Sequence, residues 1–450
     1  MRAPPPEQRL EQEVGVKPSD ASPEFDRSAR RQTVRSSTLA PGSTSGNSGS
    51  VKTLDEAPFL NFLTPEFEAD PATAIEAIRA QGCLARTPIG ALILDRAVVE
   101  ALLADPRLDS SLLAFVRMQG LADGPIFEAL SRSLLAVDGE DHTRLRKLVS
   151  RAFTPRSVER LRPSMRELSD RLVDGFASRG RCEFMAEFAE HYPIQMICEL
   201  LGVPSEDHEK FARWSNAITW VLSFELSSRL PQVREGFEGL AGYIDALVEE
   251  RRRTPQDDLV TRLVEAEDGG DRLSPVELRS LIASLIFAGY DTTRNQLGIA
   301  MVLFAEAPSQ WCLLGERPEL APSAVEEVVR FQGTVAVAPR LAREPLDVGG
   351  YHIPAGTLVS LSTAAANHDP AAYLAPERFD ITVDRAPPLT FGGGPHYCLG
   401  ANLARAEMQE ALAILARRLP DLRLDGEVTW RPRTGIFGPT RLPVTFAAGS

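Results

Sequence analysis

One cysteine stands in a glycine-rich loop, Phe391-Gly392-Gly393-Gly394-Pro395-His396-Tyr397-Cys398-Leu399-Gly400, directly ahead of an amphipathic stretch, Ala401–Leu419. Free cysteine is most often a small buried hydrophobe. At the start of a helix, however, positive potential favours the thiolate, and a rigidly held lone thiolate is what an axial ligand to haem iron requires. Three other groupings carry polar chemistry. Ala288-Gly289-Tyr290-Asp291-Thr292-Thr293 interrupts an apolar helical run; it reads as a polar helix contact or as a notch beside a reactive centre. A helical glycine costs about 1 kcal/mol and needs a reason, and threonine can bond back to the carbonyl four residues earlier. His142 and Arg146 lie four apart, on one helical face, as surface residues or as donors to a carboxylate. Glu327 and Arg330 lie three apart, a spacing that in isolation is a solvated pair worth roughly 0.2–0.5 kcal/mol.

Helices must position most of these groups. Ser274, Pro275 and Glu277 combine an N-cap, a proline at the first helical position and a capping box. The pattern that follows runs to Pro308, about 33 residues or roughly 50 Å, with an apolar and therefore buried middle at Leu281–Ala288. Ser157–Phe176 and Val233–Arg253 show the same periodicity. Strand signals are few: Ala85–Leu94 around Pro88-Ile89-Gly90, and Leu346–Ser362 broken by Gly349-Gly350 and Pro354-Ala355-Gly356. The expected fold is mainly α with a small β region (α+β).

Composition narrows the classes. The 450 residues carry 49 basic and 62 acidic side chains, a net charge of −13, which argues against nucleic acid as a partner. The five cysteines, at 83, 182, 198, 312 and 398, contain no Cys-x-x-Cys pair, which excludes a disulfide framework, a zinc ribbon and an all-cysteine cluster. No membrane span and no secretory signal is expected, because no apolar run is long enough. Residues 1–52, rich in Pro, Ser, Gly and Arg, are expected to be a disordered tail, with a transit peptide as the alternative. Residues 53–450 are expected to form a single domain.

The cysteine loop resembles the haem-binding loop of the cytochrome P-450 family, Phe-x-x-Gly-x-His-x-Cys-x-Gly, at every fixed position. Three further matches follow in the family's order: the helix pair His142 and Arg146, the acid–alcohol pair Asp291–Thr292, and Glu327-x-x-Arg330. The resemblance spans roughly residues 55–448 and is to the soluble bacterial type. It implies haem b buried between the long central helix and the cysteine loop, with Cys398 as iron ligand and Phe391 and Gly400 shaping the loop. It implies propionate binding by His142, Arg146, Arg340 and His396, and a buried structural set of Glu327, Arg330 and Arg378. Asp291 and Thr292 would deliver protons to bound O2. Phe287, Ala288, Val335, Ala336, Val337, Ile436 and Phe437 would line an apolar substrate pocket, with residues 109–128 and 215–232 as its entrance.

The function so implied is a monooxygenase using O2 to hydroxylate or epoxidise an apolar small molecule of secondary, lipid or terpenoid metabolism. The roughly 50 residues after Cys398 are too few for a flavin domain, and no dinucleotide fingerprint occurs, so a ferredoxin and its reductase are expected as partners. Arg144, Arg146, Lys147, Arg151 and Arg405 are the candidate docking cations; a solvated helix face is the other reading. The expected location is cytoplasmic and the expected state monomeric. Rival readings are a peroxide-driven enzyme, a phenol-coupling or rearrangement enzyme of the same haem class, and a non-enzymatic haem sensor.

Overall fold

A computed structural model describes residues 51–268 and 273–448, and the central helix organises it. Pro275–Glu306 is one uninterrupted helix. Its start follows from the sequence: Ser274 Oγ accepts the Glu277 N–H at 3.3 Å, and the Glu277 carboxylate accepts the Ser274 N–H at 2.8 Å. The helix runs through the main hydrophobic cluster, packing on helices Tyr192–Leu201, His208–Ile218 and Ala401–Arg418. Burial of its polar side chains is tolerated because partners satisfy them. Gln296 donates to the Gln332 carbonyl at 2.8 Å and accepts the Thr334 N–H at 2.8 Å, and Arg294 pairs with Glu190 at 2.8 Å.

The expected helix at Ser157–Phe176 is two helices, Pro155–Glu159 and Arg162–Asp174. Pro163 supplies the break, since it lacks an N–H and disfavours helical geometry at the residue before it. The Val233–Arg253 periodicity belongs to a longer helix, Leu226–Arg253. The segments expected to form the pocket entrance pack on one another: Leu112, Val116, Ile126 and Leu130 share a small cluster with Val221, Leu226 and Val233.

A five-stranded sheet flanks the helices. Leu84–Thr87 turns back onto Gly90–Ile93, which pairs in parallel with Leu358–Ser362. Val337–Ala342 joins antiparallel on the far side, and Leu108–Ser110 closes the edge with Ser110 opposite Arg340. Lys52 and Thr53 pair with Tyr351 and His352, while the expected tail up to residue 50 lies outside the described residues. From Val51 onward the chain clusters as one compact unit.

No single described helix is long and apolar enough to cross a membrane. The central helix and its neighbour Pro308–Glu316 are together apolar, but they are bent by 107° and the central helix is core. On helix Ala401–Arg418, Glu407 is 1% exposed, neither of its carboxyl oxygens has a hydrogen-bond partner, and burial pushes its carboxyl well above the usual range.

Candidate active site

The cysteine loop is held by its own backbone and from both flanks. Cys398 N–H donates to the Phe391 carbonyl at 2.9 Å, and the Tyr397 N–H to the Gly394 carbonyl at 3.1 Å. Gly394 has φ +63°, and a Cβ there would overlap the Leu103 carbonyl, so only glycine lets the loop lie against that strand connection. Upstream, Asn367 accepts the Leu389 N–H at 2.7 Å, and Thr390 Oγ1 donates to the Val329 carbonyl at 2.5 Å. On one flank Arg146 donates to the Tyr397 carbonyl at 2.5 Å. On the other, the Arg405 guanidinium lies 4.2 Å over the Phe391 ring and pairs with Glu326 at 2.5 Å. Gly400 begins the following helix, its carbonyl accepting the Ala404 N–H at 2.9 Å.

Cys398 has accessible surface although its sulfur lies deep within the molecule, so it faces an internal space. Burial pushes its thiol up; the Gly400 N–H and the Arg146 and Arg405 cations pull it down without prevailing. The helix start therefore does not by itself yield a thiolate. A metal cation at the sulfur would, since coordination deprotonates a thiol outright.

The sheet edge assembles a second part. Ser110 N–H donates to Asp138 Oδ2 at 2.8 Å, which fixes the start of helix Gly139–Ser150 beside Arg340. Asp138 Oδ1 takes His396 Nε2 at 2.7 Å, and the His396 ring centre lies 4.3 Å from that of His142. His142 is 3% exposed, and its Nε2 is buried without a hydrogen-bond partner. Burial, then the neighbouring His396 and Arg146, push its pKa down to about 4, while Asp138 opposes them. Arg340 is 8% exposed, and its guanidinium donates to the neighbouring Pro339 carbonyl at 2.9 Å, not to a carboxylate. A buried guanidinium and an unsatisfied imidazole nitrogen call for an anion. A haem propionate meets that need, so the residues present fit haem: Cys398 for iron, and Arg340, His142 and His396 for a carboxylate. Arg146, one turn beyond His142, is instead committed to the cysteine loop.

Glu327 and Arg330 form a buried bidentate pair at 2.7 and 2.9 Å. Arg330 also donates to the carbonyls of Asn367, Pro376 and Arg378 at 3.1, 2.8 and 3.2 Å. Arg378 contributes only that carbonyl. Its side chain is 70% exposed and pairs with Asp380 at 3.1 Å. The second arginine on Glu327 is Arg385, at 3.3 Å and 8% exposed. The sequence expectation for Arg378 is corrected accordingly: the chain turns so that its backbone faces Arg330 and its side chain faces water.

Within the buried central helix, Ala288 is exposed, and Gly289 and Thr292 are half-buried, a small-residue stripe onto internal space. Thr292 Oγ1 bonds back to the Ala288 carbonyl at 2.9 Å. Gly289 lies against Ile197, which would crowd a Cβ at 3.1 Å, so helix packing accounts for this glycine. Asp291 is fully buried and faces other partners: Thr219 Oγ1 at 3.2 Å, Asn295 Nδ2 at 3.1 Å, and Arg431 Nη1 at 2.9 and 2.7 Å. Arg431 carries no sequence signal, because it is 140 residues away in a short hairpin. Val335, Ala336 and Val337 are half-buried, and Val335 bridges Ile436. Phe287 is core, and Phe437 is clasped between the Trp430 ring, stacked at 5.0 Å, and the Arg433 guanidinium at 4.4 Å.

A cysteine loop, a carboxylate cradle and small residues facing internal space from the central helix together define a haem-thiolate protein. The chain belongs to the cytochrome P450 family, whose profile matches residues 118–311 and 317–420. It is 41% identical over 398 residues to luteothin monooxygenase of Streptomyces thioluteus, covering 87% of this chain and 97% of that protein. It is 42% identical over 327 residues to mycinamicin IV hydroxylase/epoxidase of Micromonospora griseorubida, covering 71% and 81%. Among solved structures, that of CalO2 matches with a TM-score of 0.82 at 29% identity, covering 87% of this chain and 99% of the other. The protein is a haem-thiolate monooxygenase that holds haem b through a cysteine thiolate and uses O2.

Proposed function

We propose that this monooxygenase hydroxylates or epoxidises an apolar small molecule of secondary or lipid metabolism, with a terpenoid, steroid, fatty-acid or polyketide skeleton. The observation that carries this reading is the apolar segment Val335–Val337, half-buried and bridged to Ile436, on the chain that leads into Arg340. When bound, haem supplies the activation of O2, and thiolate ligation favours O–O cleavage. The protein's residues do the rest. Cys398 Sγ holds iron, while Arg340, His142 and His396 orient the cofactor through a propionate. Thr292 Oγ1 hands a proton towards the internal space, and the Asp291 carboxylate, on turning from Arg431, relays to it a proton taken up from water. Screening candidate compounds for a low-to-high spin shift tests the substrate class; no shift with any apolar skeleton would remove it.

Electrons come in this reading from a ferredoxin and its reductase. Lys147 and Arg151 are exposed. Arg144 is engaged by Glu277 and Asp141, and Arg405 by Glu326. Docking of an acidic ferredoxin therefore rests on Lys147 and Arg151, and its rate should fall steeply with salt. Turnover with NAD(P)H and ferredoxin, and none with peroxide, is the expected pattern. A cytoplasmic location belongs to the same reading, supported by five free cysteines.

A further inference from the structure

The tip of the C-terminal hairpin carries an arginine that has no acid. Thr429–Trp430 pairs antiparallel with Pro439–Arg441, and the Arg431 N–H donates to the Gly438 carbonyl at 3.0 Å, so residues 432–437 form the tip. Arg431 itself is paired with Asp291 at 2.7 Å. Arg433, two residues on, is half-buried, yet among the described residues no carboxylate lies within ion-pair distance of its guanidinium. Its Nε reaches only the Glu68 main-chain carbonyl, at 3.4 Å, and neither terminal nitrogen has a hydrogen-bond partner. The Glu68 carboxylate instead accepts the Arg433 main-chain N–H, at 3.2 and 3.4 Å. Burial pulls the Arg433 pKa below the usual arginine value, and the Glu68 charge only partly opposes it. A cation drawn out of water without a partner is costly until an anion completes it.

This guanidinium is held in place, and it sits where the expected entrance segments meet. It stacks at 4.4 Å on the Phe437 ring, which itself stacks on Trp430 at 5.0 Å. Such stacking fixes the guanidinium plane and leaves its edge donors for a planar acceptor. Gly435 has φ +124°, and a Cβ there would meet the Leu222 carbonyl at 3.0 Å, so the tip lies against the loop that carries Leu222, Ser223 and Phe224. The Phe224 ring lies 5.9 Å from Phe62 and 5.1 Å from Phe115, and all three are half-buried. On the other side of the tip, Ile436 bridges Val335, and Phe437 is tied to Thr334 by two hydrogen bonds, at 2.9 and 2.5 Å. The tip therefore runs from a cation beside the entrance segments to apolar side chains at Val335–Val337.

We propose that Arg433 sets substrate specificity by binding the carboxylate of an amphiphilic substrate, whose apolar skeleton lies along Ile436 and Phe437 towards Val335–Val337. This rests on the apolar-substrate reading and narrows it to skeletons that end in an acid: a fatty acid, or a ring system with a carboxylate side chain. Guanidinium and carboxylate match through two parallel N–H···O bonds, which a methyl ester cannot reproduce with charge. Glu68 is exposed and opposes the incoming anion by like charge, weakly because water screens it.

The test titrates the low-to-high spin shift of four holoenzymes at neutral pH: the wild type, Arg433→Gln, Arg433→Lys and Glu68→Gln. The probes are dodecanoic acid, cholanic acid and the methyl ester of each. Haem content and the reduced carbon monoxide spectrum establish that each variant is folded. The wild type should bind at least one acid about tenfold more tightly than its ester. Arg433→Gln should lose that preference through weaker acid binding, with ester binding unchanged. Arg433→Lys should keep part of it, and Glu68→Gln should tighten the acid alone. No acid preference in the wild type, or one that survives in Arg433→Gln, would overturn the proposal. Equal weakening of acid and ester in Arg433→Gln would do the same, since it marks a clamp on Phe437 and nothing more. The two readings fail separately. Esters that shift the spin state with no gain for the acids leave the apolar-substrate reading standing without Arg433. No shift with any of the four compounds removes the role of Arg433, and the wider screen of apolar skeletons then decides the other.

Discussion

At the scale of single residues, two side chains with similar sequence surroundings have opposite fates. Arg378 and Arg385 are seven residues apart, yet only Arg385 reaches the buried Glu327. Removing one partner of a buried ion pair costs about 3–5 kcal/mol, whereas surface pairs contribute about 0–1 kcal/mol. Because Glu327 keeps Arg330, Arg385→Ala should fall short of that and lower the unfolding free energy by about 1–3 kcal/mol in denaturant titration, and Arg378→Ala by less than about 1 kcal/mol. Equal losses would show that Arg378 works through more than its carbonyl. His142 offers a pH signature in the haem-free protein. Its pKa falls from 6.5 to about 4 on folding, so the unfolded chain binds the extra proton between those values. Stability from this group is complete above pH 6.5 and is lost as pH falls towards 4, by an amount of the order of 3 kcal/mol. Thermal midpoints measured across that window should drop, and His142→Asn should flatten the drop. Binding haem should take up protons in the same window, because a propionate raises the imidazole pKa.

Legibility at this scale follows sequence distance. Cys398, His396 and Gly400 are readable because their spacing within one loop is the signal. The Thr292 hydrogen bond is similarly local, since its hydroxyl returns to Ala288 on the same helix. Arg385 and Arg431 are not readable: each acts on a residue many positions away, and only the turn of the intervening chain decides which arginine arrives.

At the scale of elements, local grammar carried the helices and tertiary contact carried their interruptions. The central helix was delimited by its capping box, and its observed bounds, Pro275–Glu306, agree with that reading. The break at Pro163 was also written in the sequence, but an unbroken apolar stripe masked it. The junction of the central helix with Ala401–Arg418 makes its own prediction through Glu407. Burial holds this carboxyl neutral, with a folded pKa well above 4.5. Above pH 4.5 the unfolded chain releases the proton that the folded one keeps, so stability falls as pH rises, by up to about 1.4 kcal/mol per pH unit. Glu407→Gln, which keeps the neutral shape, should be more stable than the parent at pH 7 and show no such slope. A less stable Glu407→Gln would mean that the carboxylate is ionised and paired.

At the scale of the whole molecule, every residue of the site lies between Leu103 and Phe437, inside the unit that begins at Val51. Residues 1–50 carry too few apolar side chains to build a core. Deleting them should leave the thermal midpoint and the reduced carbon monoxide spectrum unchanged; a shift in either would place part of that segment in the fold. The net charge of −13 said little about the site, because the cations that matter are few and locally gathered around buried carboxylates and carbonyls.

The C-terminal hairpin has a practical consequence for anyone altering this enzyme. Residues 430–441 contain both an apolar contact to the pocket segment and the cation on the buried acid. A mutant library aimed at that stretch to change what the enzyme accepts will disturb the partner of a buried carboxylate on the central helix at the same time. Selection on product alone would then confuse a changed pocket with a loosened core, so such a screen should record haem content and thermal midpoint from its first round.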